Sequence, residues 1–270
     1  MANALRWFVL CAVATLCLGP FLFLLSTSLE GDDVFRLETL ADLLPNQFDT
    51  SAYREVFVKL PDLKYFFLNT AFLCFFGVLL ELCFATLAAY PLARMNFAGK
   101  GWIMAALLAT MMLPSQANII VNFVTIRQIG LYDTLTAVLL PSAVSVFGIF
   151  LMRQAFLVVP KDLEDAARMD GAGEWYIFRH VMVPLTRPAL GTLALFSFVA
   201  HWNSFMWPLV ILQERSNYPL SVGLAYMANT FDSNFRLVAA GSVMAMIPIL
   251  VLFLVLQKQF IKGITAGAVK

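Results

Sequence analysis

The chain has 270 residues, of which 61% are hydrophobic and only 13% charged. Soluble domains carry about 25% charged residues, so an ordinary water-facing surface is excluded. The net charge of +1, with no basic cluster interleaved with aromatics, sets aside a nucleic-acid partner, and the length suits one membrane domain over residues 1–270.

The first apolar run, Trp7 to Leu25, follows a single Arg6. It exceeds the ~7–15-residue core of a signal peptide and is followed by Ser26-Thr27-Ser28-Leu29. It reads as an uncleaved first span. Five further segments approach the ~20 apolar residues that a ~30 Å bilayer core demands. They are Phe67–Tyr90, Trp102–Phe123, Thr134–Met152, Ala189–Leu212 and Val238–Leu256. Backbone groups in lipid must be satisfied within their own segment, and no alternating strands suggest a barrel. The expected fold is therefore all-α, with six transmembrane helices.

Lysine and arginine set the orientation. With the N-terminus inside, eleven fall on inner segments and seven on outer ones. Four of the seven (Arg36, Arg54, Lys59, Lys64) share one long loop, where the rule is weaker. Both termini are expected in the cytoplasm, with the chain in the inner membrane. The outer loop, about residues 26–65, should hold one short helix after Asp49-Thr50-Ser51, which offer N-cap chemistry. It is too short for a core of its own and reads as a lid over the helix ends. Cys11, Cys17, Cys74 and Cys83 lie in apolar runs without zinc-like spacing. Neither a disulfide nor a metal site is expected.

The inner loop between the fourth and fifth spans, about residues 153–187, carries the strongest local signal. Asp162 and Asp165 stand three apart, as in a capping box, and Gly171 after Asp170 is a stop signal. Between them fits a helix of about two turns, with Leu163, Ala166, Ala167 and Asp170 on one face. That shallow face suits docking into a partner's groove, or lying on the membrane surface. A second helical stretch should end before Pro184, because a residue preceding proline leaves helical geometry.

Polar residues at membrane depth are few. Glu81 is a pathway residue or an interhelical hydrogen bond. Ser115, Asn118 and Asn122 should share a face of the third span, and Asn203 and Trp207 stand one turn apart in the fifth. They read as a substrate pathway or as helix glue. No phosphate-binding G-x-x-x-x-G-K-[ST] loop and no catalytic constellation is present, so the chain is expected to be neither an ATPase nor any other enzyme. A stand-alone carrier would need no docking helix, and the internal repeats that often build such carriers are not visible.

Asp165-Ala166-Ala167, then Gly171, then Val181, Val183 and Pro184 stand at the spacing of the EAA loop of bacterial ABC importer permeases. Asp replaces Glu, and Val replaces Ile and Leu. Asn69-Thr70, Ala89-Tyr90-Pro91-Leu92-Ala93-Arg94, Gly130-Leu131-Tyr132-Asp133-Thr134 and Trp202 to Leu209 extend the resemblance over nearly the whole chain. It is similar to the second permease of carbohydrate importers of the maltose and glycerol-3-phosphate type. The resemblance implies a second homologous permease, an external sugar-binding protein that delivers the substrate, and surrounding lipid. It also implies two cytoplasmic ATPases, which hold ATP and Mg while this chain holds no cofactor. The Asp165 to Gly171 segment would be the coupling helix.

Overall fold

The computed structural model describes residues 2–31, 48–231 and 234–268, with the side chains of 5–31, 48–114, 116–231 and 234–254. The central part of the outer loop, Ser115's side chain and the last two residues fall outside this description. Among the described residues all regular elements are helical. α1 (Ala2–Ser28), α2 (Ser51–Lys59) and α3 (Leu63–Arg94) come first. α4 (Lys100–Thr110), α5 (Ile119–Gln128), α6 (Leu135–Leu139) and α7 (Val146–Val158) form the middle. The inner loop holds α8 (Lys161–Met169), α9 (Glu174–Ile177) and α10 (Val183–Leu185). α11 (Arg187–Trp202), α12 (Met206–Ile211), α13 (Leu220–Thr230) and α14 (Phe235–Ala268) complete the chain.

Among the described residues three helices are long and apolar enough to cross a membrane: Leu5–Ser28, Leu63–Arg94 and Phe235–Leu254. Two bent pairs raise the number to five if each is one span. Leu135–Ser142 meets Val146–Val158 at 47°, and Glu174–Leu185 meets Arg187–Trp202 at 76°. α3 is the central post. Its 32 residues span ~48 Å at ~1.5 Å per residue, so it projects beyond a ~30 Å hydrocarbon layer. It packs against α6, α7, α11 and α13. Small residues let these backbones approach. Ala85 and Ala89 are fully buried, and a Cβ on Gly148 would lie 3.1 Å from the Ala85 methyl and 3.2 Å from Leu193.

Proline sets the breaks in the predicted spans. The expected third span is not one helix. α4 stops at Thr110, Pro114 offers no N–H and disfavours helix at Leu113, and a 3₁₀ turn (Ser115–Asn118) leads into α5. Ser115, Asn118 and Asn122 therefore do not share one helical face. In the fourth, Pro141 sits in a 3₁₀ turn (Leu140–Ser142), and Ser145 Oγ then caps α7 by accepting the Gly148 N–H at 3.1 Å. The expected fifth ends at Trp202 and resumes as α12. Pro208 has no N–H for the Ser204 carbonyl four residues back, and the Ser221 hydroxyl donates to that carbonyl instead, at 2.5 Å.

The α2 end of α3 carries one element beyond the expected spans. Residues 213–234, between the fifth and sixth expected spans, contain α13. Its Leu220 and Met227 share a core with Ala52 and Val56 of α2, Leu63 and Phe66 of α3, and Leu237 of α14. α2 does begin beside Asp49, whose Oδ1 accepts the Ser51 N–H at 2.8 Å. Arg236, its side chain 7% exposed, ties this end together. It donates to the carbonyls of Glu30 and Gly31 at 3.1 and 3.0 Å and to Ser51 Oγ at 3.0 Å, and lies 3.3 Å from Glu55 Oε2.

Candidate functional site

The inner loop folds into a hairpin locked to the end of α3. α8 starts at Pro160, whose extended ψ of 136° turns the chain into the helix, and no side chain caps it. Asp162 and Asp165 thus form no capping box. Asp162 and Glu164 lie in the first turn, where negative charge is favoured by the helix dipole. Asp165 reaches forward instead, 2.9 Å from Arg168 Nη1. The predicted stop is present. Gly171 has φ +84°; its N–H donates to Arg168 O and the Ala172 N–H donates to Ala167 O, both at 3.0 Å. This 5→2 and 6→1 pair closes the helix as a Schellman motif.

Glu164 turns inward. Its Oε1 lies 2.7 Å from Arg94 Nε, with both side chains 4% exposed. Neither atom has a directed hydrogen-bond partner, so the contact is ionic at close range. Arg94 also donates to Val159 O. Arg168 Nε donates to Glu174 Oε1 at 2.8 Å, and the Tyr90 hydroxyl donates to Glu174 Oε2 at 2.9 Å. The Arg168 bond, helped by Tyr90, holds the Glu174 carboxyl below the usual glutamate range. The same bond raises the Arg168 pKa.

The outward face of α8 is not the predicted set. Leu163 is 45% exposed, Met169 84%, and Ala166 and Asp170 are also exposed. Ala167 is half-buried against a core that includes Tyr90, Phe156 and Phe178. It belongs to the chain's own packing. The free face consists of Leu163, Ala166, Met169 and Asp170.

Beyond Gly171 the helix runs through Pro184 rather than ending before it. A π turn over Phe178–Met182 intervenes, in which the Val183 N–H donates to Phe178 O, five residues back. Widening the helix there relieves the clash a proline ring makes with the preceding turn. Ile177 and Met182 are fully buried. After the elbow at Thr186 the chain enters α11, so the hairpin is continuous with a membrane helix.

A second region lies between α5, the Pro141 bend and α11–α12. A cavity of about 350 Å³ is lined there by Gln116, Asn122, Ser142, His201, Ser204 and Trp207, among apolar neighbours. Of the predicted pathway residues whose side chains are described, Asn122 and Trp207 line it. Asn118 and Asn203 are exposed elsewhere, and the Asn203 amide donates to Val199 O at 2.9 Å. Trp207 Nε1 donates to Ala137 O at 3.1 Å, which fixes the ring.

Glu81 sits behind this wall, 6% exposed, and accepts the Ser197 hydroxyl at 2.6 Å. His201 Nδ1 lies 2.8 Å from Ser197 O, and its Nε2 lies 3.3 Å from Ser142 Oγ. Sequence reasoning missed His201, Ser197, Ser142 and Gln116. A signal was present: Gly77 and Glu81 on α3, and Ser197 and His201 on α11, are each four apart in otherwise apolar helices.

The model of the binding-protein-dependent transport system inner membrane component family matches residues 82–266. The chain belongs to this family. The matched stretch contains both the hairpin and nearly all of the cavity. The chain is 34% identical to the arabinooligosaccharides transport system permease protein AraQ of Bacillus subtilis, over 96% of this chain and 92% of that one. It is also 34% identical to the melibiose/raffinose/stachyose import permease protein MelC of Bacillus subtilis, over 93% and 91%. A chain in the crystal structure of a bacterial ABC transporter involved in the import of the acidic polysaccharide alginate superposes with a TM-score of 0.83. The two are 29% identical, with 95% of both chains covered. The family assignment makes this a membrane transport component.

Proposed function

We propose that the chain is one permease subunit of an ATP-driven sugar importer, coupled to its motor through α8. The sugar is argued from the permeases for arabinooligosaccharides and for melibiose, raffinose and stachyose that it resembles at 34% identity. Six spans cross the inner membrane, the third being the interrupted α4–α5 segment. A second permease, an external binding protein and two ATPases complete the assembly. ATP and Mg belong to the ATPases, and this chain needs no cofactor.

The observation that carries the reading is the α8 hairpin. Its inner side is ionically fixed to α3, and its outer side leaves Leu163, Ala166 and Met169 uncovered. A short rigid helix with a free apolar face, continuous with α11, moves the membrane helices when its partner moves. The reading is tested by Ala166→Trp, which changes only the outer face. Overfilling a docking face costs ~1–3 kcal/mol, about tenfold or more in occupancy. Sugar uptake and binding-protein-stimulated ATP hydrolysis in reconstituted vesicles should fall together. Uptake at the wild-type rate with tryptophan there would remove α8 from the motor interface.

A further inference from the structure

The cavity beside His201 has chemistry of its own. A carbonyl oxygen only accepts, so the 2.8 Å contact to Ser197 O puts the proton of a neutral imidazole on Nδ1. Nε2 is then an acceptor. Its protein neighbour is Ser142 Oγ at 3.3 Å, and that hydroxyl lies closer, at 3.0 Å, to Leu139 O, to which it donates. An acceptor nitrogen and a hydroxyl oxygen thus stand side by side at the cavity wall.

The ring is held there from behind. A Cβ on Gly77 would lie 2.3 Å from the His201 ring, so α3 has glycine where the imidazole needs the space. The polar lining is otherwise amide and hydroxyl, from Gln116, Asn122 and Ser204, and no Asp, Glu, Lys or Arg lines the cavity among the described residues. Trp207 has spent its N–H on Ala137 O and offers only its ring. The volume lies at the lower end of the ~300–1,000 Å³ of small-molecule sites.

We infer that this cavity is a binding subsite for an uncharged saccharide unit, with His201 Nε2 and Ser142 Oγ receiving one sugar hydroxyl between them. The inference rests on the transport reading above. A hydroxyl is the ligand group that fits the pair, since both atoms accept there and a hydroxyl supplies the proton they share. A carboxylate would meet Nε2 of a neutral ring lone pair to lone pair and would find no Lys or Arg among the described lining residues. Neutral sugars are therefore favoured over uronates such as those of the acidic polysaccharide named for the structural relative.

The test is direct binding to the assembled complex in lipid nanodiscs, without the external binding protein, by saturation-transfer NMR. The probes are arabinotriose, raffinose, maltotriose and, as the acidic member, trigalacturonate. At least one neutral trisaccharide should bind the wild type. His201→Phe keeps a ring in the Gly77 notch without the nitrogens, and Ser142→Ala is a milder change that still decides the matter if the first fails to assemble. Either should weaken binding about three- to tenfold, the worth of one neutral hydrogen bond. Asn203→Ala, off the cavity, should leave binding unchanged. Unaltered binding in the assembled variants, no neutral binding to the wild type, or binding of trigalacturonate alone would overturn the subsite. ATP-driven uptake of the same sugars is measured separately. Binding that depends on His201 without any such uptake would defeat the transport reading and leave the subsite standing.

Discussion

Two glycines separate backbone need from space. Gly171 has φ +84° and nothing within 4 Å of where a Cβ would stand, whereas a Cβ on Gly223 would lie 2.1 Å from the Phe66 ring. At Gly171 the penalty is conformational, ~1–2 kcal/mol for a residue that resists the left-handed region. Asparagine visits that region and valine does not. Gly171→Asn should therefore support close to wild-type ATP hydrolysis, and Gly171→Val should depress it several-fold. At Gly223 both substitutions should fail, because both add a Cβ into an aromatic ring. Hydrolysis and yield of the assembled complex measure both. Equal behaviour of Asn and Val at Gly171 would refute the conformational account. Gly171 was legible in the sequence because a helix stop is a local matter. Gly77 was not, because its neighbour His201 lies 124 positions away in the chain and only folding joins them.

Among elements, the hairpin of α8 to α10 is fixed by the Arg94–Glu164 pair at the inner end of α3. Removing one member of a buried pair leaves the other charge uncompensated and costs ~3–5 kcal/mol, whereas replacing both with apolar residues is often neutral. Arg94→Met and Glu164→Leu alone should each lower the thermal midpoint of the purified complex. The double variant should recover most of the loss. Additive losses in the double variant would mean that the pair does not hold the hairpin. The sequence showed that α8 exists and where it stops, but not which way it faces. Leu163, Ala166, Ala167 and Asp170 satisfy the helical spacing, yet Ala167 turns to the chain's own core. Which face is covered depends on residues from α3 and α7 that no local pattern reports. The run of helix through Pro184 was illegible for a related reason. The π turn that admits it is held by Ile177 and Met182, both buried by long-range contacts.

For the molecule as a whole, the apolar runs were legible and their interruptions were not. Hydropathy sums over a window, while Pro114, Pro141 and Pro208 act at single peptide bonds and leave the sum almost unchanged. The orientation can be argued from the two ionic clusters. Arg236 with Asp49 and Glu55 lies at the α2 end of α3, and Arg94 with Glu164, Arg168 and Glu174 lies at the other end. α3 separates them by ~48 Å, so a ~30 Å hydrocarbon layer fits between without burying either cluster in lipid. The excess of lysine and arginine on the Arg94 side favours the proposed placing of that side in the cytoplasm. On the proposed six spans, both termini would follow it there. Single cysteines at Val58 on α2 and at Asn96 beyond α3 test this, both positions being exposed, in a chain whose Cys11, Cys17, Cys74 and Cys83 are replaced by alanine. In intact right-side-out vesicles an impermeant maleimide should label Val58→Cys at once. Asn96→Cys should react only after permeabilisation. The opposite pattern would invert the protein in the membrane, put α8 outside the cell, and remove any route by which a cytoplasmic ATPase could reach it.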